Sequence, residues 1–202
     1  AGAAAALALR AGAEMRRIAA RWRAIKNGDA STGRRQSYLR MRQGPAAPIS
    51  ETCAAVLEAA QRVVRGRLGP ETLLNDCVVI ADFEADLPRQ ELHRDVRRDV
   101  RGATTHGLLV PLAPGARIHA VPGSHAPRSA LRGAFARGEV VQVAVEPGWA
   151  LLWDGMLVHA GDGAAPGAVP GEPNRLRLHA YAEQPGEPRP FDDKGDREII
   201  ER

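Results

Sequence analysis

A change of hydrophobic period near residue 70 constrains the fold more than any other feature of the chain. Before it the pattern is helical. Beyond residue 75 it breaks into short apolar runs: Cys77 to Phe83, Gly107 to Leu112, Arg117 to Val121, Glu139 to Val145, Trp149 to Trp153, Met156 to Ala160 and Arg175 to Ala182. Pro114-Gly115, Glu146-Pro147-Gly148 and Asp154-Gly155 stand between these runs and supply turn chemistry. Many short strands with such turns predict a sandwich or jelly roll rather than alternating βαβ units. Gly161 to Pro173, rich in Gly, Pro and Ala, interrupts the series and reads as a surface loop.

The amino-terminal part predicts two helices. From Ala3 to about Lys26 the residues are strong helix formers, and Met15, Ile18, Trp22 and Ile25 recur along one stripe. Asn27-Gly28-Asp29 ends that segment, and residues 28–50 read as a long loop. A second helix fits Ser50 to Arg67, with Ser50 as N-cap, Val56, Ala60, Val63 and Val64 inward, and Gly69-Pro70 as terminator. The expected organisation is a single domain over residues 1–202, with a basic helical annex over 1–70 and a strand-rich core over 76–183.

Composition sets outer limits. At 202 residues, with 44% apolar and 26% charged side chains, the chain is of ordinary globular type and neither disordered nor a disulfide-stapled miniprotein. Arg10, Arg16 and Arg17 interrupt the Ala-rich start, so no run of the roughly 18 apolar residues needed for a membrane span exists. The net charge of +4 is uneven: residues 1–67 hold thirteen Lys/Arg against four Asp/Glu. Such a surplus suits nucleic acid or another polyanion, and a compositional preference for Arg accounts for it equally without a ligand. Cys53 and Cys77 have no metal or redox spacing and read as buried thiols of an intracellular, reducing compartment, cytoplasm or nucleus. The chain starts on Ala with no cleavable signal pattern, which reads as a domain cut from a longer protein.

All six histidines lie in the strand-rich part. In Gln90-Glu91-Leu92-His93-Arg94-Asp95, a His and an Asp two apart point to one side of an extended chain and could reach one ion. An H-x-D is also an ordinary surface pair. His159, after the turn at Asp154-Gly155, would complete two imidazoles and one carboxylate on one face of a metal, the facial arrangement of non-haem Fe(II) oxygenases. A forked guanidinium nearby would anchor a dicarboxylate co-substrate, and Arg175 and Arg177 both qualify.

The order of these features carries a resemblance. H-x-D, then Val121-Pro122-Gly123-Ser124-His125, then Glu146-Pro147-Gly148-Trp149 running through an apolar strand to His159, then Asn174 to Tyr181 with its arginines, is similar to the Fe(II)/2-oxoglutarate-dependent dioxygenase superfamily. Within it the chain most resembles the phytanoyl-CoA dioxygenase-like family, over residues 76–183. The resemblance implies an α+β fold: a double-stranded β-helix, or cupin-like jelly roll, with the amino-terminal helices packed on it. It implies Fe(II) on His93, Asp95 and His159, and 2-oxoglutarate on Arg175, with Arg177 a close second. O2 and supportive ascorbate complete the expected requirements. Asp95 leaves no halide position, so the implied reaction is hydroxylation or a related oxidation.

Other residues carry two readings each. Thr104 and Thr105 either hydrogen-bond the co-substrate or serve as β-formers, and His106 is either a site neighbour or a half-buried histidine. His125 reads as shaping a loop, His119 as surface, and Trp149 and Trp153 as core. Arg94, Arg97, Arg98 and Arg101 suggest an anionic substrate or a solvated face. The competing functions are a hydroxylase of unidentified small or macromolecular substrate, a nucleic-acid-modifying member that uses Arg34, Arg35, Arg40 and Arg42, and a non-catalytic jelly-roll binding module.

Overall fold

The structure is a computed structural model that describes residues 2–17, 23–24, 34–40, 51–84, 86–96, 105–125, 139–163, 167–186 and 198–199. Helix α1 (Gly2–Arg17) and helix α2 (Glu51–Leu68) flank two short segments, β1 (Arg23–Ala24) and β2 (Arg34–Arg40). The strands that follow are β3 (Leu73–Asp82), β4 (His93–Arg94), β5 (His106–Pro111), β6 (Ala116–Ala120), β7 (Val141–Val145), β8 (Leu151–Asp154), β9 (His159–Gly161), β10 (Asn174–Glu183) and β11 (Glu198–Ile199). A six-stranded sheet has the order β1-β2-β3-β10-β5-β8, and a five-stranded sheet the order β11-β4-β9-β6-β7. Every ladder is antiparallel. From β3 onward consecutive strands alternate between the two sheets, apart from β6 and β7, which pair within the smaller one, and this is the jelly-roll arrangement expected from the turns.

Alternation along β10 divides the large sheet into two faces. Leu176, Leu178, Ala180 and Ala182 join Val79, Ala81, Leu108 and Val110 in one apolar cluster with Ala8, Ala11 and Met15 of α1 and Val56, Ala60 and Val64 of α2. That is the outer, helix-covered face. Gly12 makes the approach of α1 possible, because a Cβ there would lie 2.0 Å from the carbonyl oxygen of Leu112. The opposite parity, Arg177, His179 and Tyr181, faces the second sheet, where Leu109, Ala116, Ile118, Val145 and Trp153 form an inner apolar cluster.

Three expectations change. Residues 34–40, expected within a loop, are a strand, because β3 offers a ladder from Asp82 to Cys77 that β2 completes whatever its side chains. The first helix is described over Gly2–Arg17, and Arg23–Ala24, within the span expected to be helical, are a strand; Met15 is buried as expected, while Ile18, Trp22 and Ile25 lie outside the described residues. Val63 sits at the edge of the α2 stripe and is 51% exposed, whereas Val56, Ala60 and Val64 are buried. The second helix otherwise matches, and Gly69 ends it with a positive φ of 120° and a hydrogen bond from its N–H to the Arg65 carbonyl. No helix among the described residues is long and apolar enough to cross a membrane.

Candidate metal centre and the arginine cluster beside it

His93 opens β4, and its ladder partner across β9 is His159. The pairing is extended by Gln90, whose N–H donates to the Gly161 carbonyl and whose side-chain oxygen accepts from the Gly161 N–H. The two imidazole centroids are 4.6 Å apart. Asp95, two residues beyond His93, places its carboxylate 3.8 Å from His93 Nε2 and 3.4 Å from His159 Nε2. Ligand atoms of all three side chains lie within 4.8 Å of one another, and all three residues are buried.

The imidazoles are set for coordination. His93 Nδ1 lies 2.7 Å from the carbonyl of Glu91, and His159 Nδ1 lies 3.0 Å from that of Leu157. A carbonyl only accepts, so each Nδ1 carries the proton and each Nε2 presents a lone pair toward Asp95. Two neutral nitrogens and one carboxylate oxygen suit a first-row divalent ion with positions left for other ligands.

The intervening residue does different work. Arg94 is 1% exposed; its Nε donates to the Met156 carbonyl at 2.7 Å and its Nη2 to the Ser124 carbonyl at 3.0 Å. Ser124 in turn accepts from the Val158 N–H on its Oγ at 2.7 Å. Arg94 and Ser124 therefore fix the segment that delivers His159. This corrects two readings: Arg94 is a buried clamp and no part of a solvated or substrate-facing patch, and in the turn after Val121 the organising residue is Ser124, while His125 is exposed. Arg97, Arg98, Arg101 and Thr104 lie outside the described residues.

An aromatic wall adjoins the triad. The Trp153 indole lies 5.1 Å from the His159 ring and 5.8 Å from His179, and His179 meets Tyr181 edge-on at 4.9 Å. Tyr181 OH is 3.5 Å from Asp95 Oδ1. Gly107, the ladder partner of both Trp153 and Tyr181, leaves the room for the indole: a Cβ there would stand 2.2 Å from it. Trp153 is thus a wall of the site, while Trp149, expected in the core, is 65% exposed at the turn that Gly148 makes. His179 and Tyr181 went unassigned in the sequence; their parity with Arg177 was the available signal. His106 has the parity of Leu108 and Val110 and faces away from the site. His119, half-buried, pairs with Asp162 at 3.0 Å.

The arginines converge on one carboxylate. Asp82, 1% exposed, accepts from Arg34 Nε at 3.0 Å, from Arg175 Nε at 2.8 Å, and from Arg177 Nη1 and Nη2 at 3.2 Å each. Arg175 has a φ of 44°, rare for a residue with a side chain, at an irregularity where three steps of β10 oppose two of β3. That bulge brings Arg175 to the carboxylate that Arg177 also reaches. Burial pushes the Asp82 carboxyl up, but Arg177, Arg34 and Arg175 together pull it down further, to about 2. Arg177 is lowered to about 10, first by burial and then by the two neighbouring guanidiniums, against the pull of Asp82. The cluster abuts the triad's strand: a Cβ on Gly161, which has the parity of His159, would lie 3.6 Å from Arg34 Nη1. Two residues of strand separate Gly161 from His159, about 6–7 Å.

Thr105 is 2% and Trp153 6% exposed, and Thr105 Oγ1 and Trp153 Nε1 have no hydrogen-bond partner among the described residues. Buried polar atoms of this kind are normally satisfied, so a bound molecule beside the triad is what the donor set and these two atoms fit.

No family profile matches the sequence, and no curated protein matches it. Solved structures do. AviO1 from Streptomyces viridochromogenes is 24% identical, with 94% of this chain and 88% of that one covered at a TM-score of 0.56. HygX from Streptomyces hygroscopicus, solved with nickel and 2-oxoglutarate, is 18% identical over 88% and 79% at 0.58. SnoK, a non-haem α-ketoglutarate-dependent carbocyclase from nogalamycin biosynthesis, is 16% identical over 87% and 73% at 0.58. This chain has the fold of the non-haem 2-oxoglutarate oxygenases. The cupin-like jelly roll with helices on its large sheet is therefore established, and the likeness to these structures is one of fold.

Proposed function

We propose that the protein is an Fe(II)- and 2-oxoglutarate-dependent oxygenase. The observation that carries this reading is the buried His93, Asp95, His159 triad, whose two Nδ1 protons are held by backbone carbonyls so that both Nε2 atoms face the Asp95 carboxylate. The fold shared with HygX and SnoK supports it. Bound Fe(II) supplies O2 activation coupled to oxidative decarboxylation of 2-oxoglutarate to succinate and CO2, with oxidation of a substrate.

The protein's own part is geometry and charge. Neutral His93 and His159 with the Asp95 anion leave a divalent ion one positive charge, and on the other side Arg34, Arg175 and Arg177 exceed Asp82 and Asp162, whose carboxylate lies 3.7 Å from Arg175 Nη1, by one charge. A dianionic dicarboxylate between the two neutralises both. Arg175 and Arg177 take its far carboxylate, and Thr105 Oγ1 is available to hydrogen-bond it. Trp153 and the inner apolar cluster exclude water. The oxidised substrate is read as anionic, a proposal that rests on Arg97, Arg98 and Arg101 now that Arg94 is accounted for. An unidentified polyanion, nucleic acid included, stays as the alternative through Arg35, Arg40 and Arg42.

The test is succinate formation with Fe(II), 2-oxoglutarate and ascorbate, in air and without O2, for the wild type and Asp95→Ala. O2-dependent succinate lost in Asp95→Ala is the expected result. Its absence in the wild type, with no binding of metal or 2-oxoglutarate, would leave a jelly-roll binding module.

A further inference from the structure

Arg34 belongs to the basic amino-terminal part of the chain, outside the segment that resembles the oxygenase core. It is nonetheless among the most buried side chains of the protein, at 1% exposure. β2 sets Arg34 directly opposite Asp82 in the ladder, and its Nε donates to Asp82 Oδ1 while its Nη2 donates to the Asp162 carbonyl at 2.8 Å. Asp162 follows β9, three residues after His159. Arg175 makes the same two attachments from the other side, to Asp82 Oδ2 and to the Asp162 carbonyl.

We infer that Arg34 and Asp82 are positioning residues for a carboxylate-binding site formed by Arg175 and Arg177. This rests on the reading of the site as one for 2-oxoglutarate. The physical reason is a division of labour over one carboxylate. Arg34 takes Oδ1 through its Nε, and Arg177 spans both oxygens. Without Arg34, Asp82 can turn toward either neighbour and close on it as a simple pair, withdrawing the guanidinium from a ligand. With Arg34 in place, three cations share the buried Asp82 anion, Asp162 adds a less buried carboxylate 3.7 Å from Arg175 Nη1, and the positive charge that remains favours an anionic ligand. Arg34 thus acts on the co-substrate through Asp82 and links β9, β3 and β10 through side-chain bonds that the backbone ladders of β9 do not provide. The same geometry gives at least one arginine of the basic amino-terminal part a use inside the protein.

The experiment is calorimetric titration of the nickel-loaded full chain with 2-oxoglutarate, for the wild type, Arg34→Gln, Arg34→Lys and Arg16→Gln, together with nickel affinity for each. Arg16 lies exposed on α1 and controls for a general loss of positive charge. Arg34→Gln is expected to weaken 2-oxoglutarate binding by about tenfold or more while nickel affinity stays within about twofold. Arg34→Lys, which keeps the charge and one donor toward Asp82, is expected to recover part of the loss, and Arg16→Gln to bind as the wild type. In turnover the Arg34→Gln change should fall on the 2-oxoglutarate KM and leave kcat largely intact. Unchanged 2-oxoglutarate affinity in Arg34→Gln would overturn the inference and leave the oxygenase reading standing. An equal loss in Arg16→Gln, or a parallel loss of nickel affinity, would also overturn it. A wild type that binds no 2-oxoglutarate removes both; one that binds it but forms no succinate in air removes the oxygenase reading alone.

Discussion

His93 and His159 face each other across the β4–β9 ladder, and each donates a hydrogen bond from Nδ1–H to the carbonyl of the residue two places before it. The equivalence follows from register: paired positions of an antiparallel ladder carry matched side-chain directions, and an i−2 carbonyl is within reach of each ring. Neither ring needs a second carboxylate to hold its tautomer.

That symmetry predicts matched losses. His93→Ala and His159→Ala should each weaken nickel or cobalt binding on the order of 100-fold or more, by similar factors, since each removes one nitrogen of the same kind from a three-ligand set. Calorimetry with the metal alone checks this. A large loss in one variant and none in the other would show that the ion is held elsewhere.

Gly107 is expected to tolerate no side chain. A methyl group there meets the Trp153 indole at 2.2 Å, so Gly107→Ala forces the indole off its place against His159. Overpacking of this kind costs about 1–3 kcal/mol. Thermal unfolding should show it, and nickel affinity should fall with it because His159 loses the face that supports it. Gly107→Ala with wild-type stability and metal affinity would mean that the indole has another place to go.

Much of this site was legible in the chain, and the reasons differ by residue. His93 and Asp95 could be read as a pair because a spacing of two keeps them on one side of an extended chain, and His159 joined them through the order of motifs that carries the resemblance. The arginines could not be resolved, since Arg175 and Arg177 share parity and the bulge that brings them to one carboxylate depends on β3, far away in sequence. Asp82 carried no local mark at all. Its role exists only once β2, β3 and β10 lie side by side, and β2 itself was hidden because Arg34-Arg35-Gln36-Ser37 lacks the apolar alternation that announces a strand. Ser124 and Arg94 were overshadowed by neighbouring histidines and arginines that looked more like chemistry. Both proved to be hydrogen-bonding parts of the frame.

Ser124 offers a direct test of that frame. Its Oγ accepts the Val158 N–H, immediately before His159, and the residue is fully buried. Ser124→Ala leaves that N–H without its acceptor, a loss of about 1–3 kcal/mol. Denaturant unfolding should register the destabilisation, and metal affinity should drop by a smaller factor than in His159→Ala, since the ligand remains and only its support is loosened. Ser124→Thr, which keeps the acceptor, should lie nearer the wild type in metal affinity. Full metal affinity and stability in Ser124→Ala would show that another group holds Val158.

Asp82 should dominate the acid response of the interior. Its carboxyl sits at about 2 when folded, below the ordinary aspartate value, because Arg177, Arg34 and Arg175 outweigh the penalty of burial. A carboxylate with a depressed folded value binds its proton more readily in the unfolded chain. Its contribution is therefore complete above about pH 4 and is lost as pH falls through about 2, and it amounts to something on the order of 2 kcal/mol. Urea unfolding at pH 7, 4, 3 and 2.5 should show wild-type stability falling across that window. Asp82→Asn should be less stable at pH 7, because three buried guanidiniums then face one another without their shared anion, and the gap to the wild type should narrow as the acid limit is approached. A gap that stays constant from pH 7 to 2.5 would mean that Asp82 holds the cluster by shape alone and that its charge contributes nothing to folding.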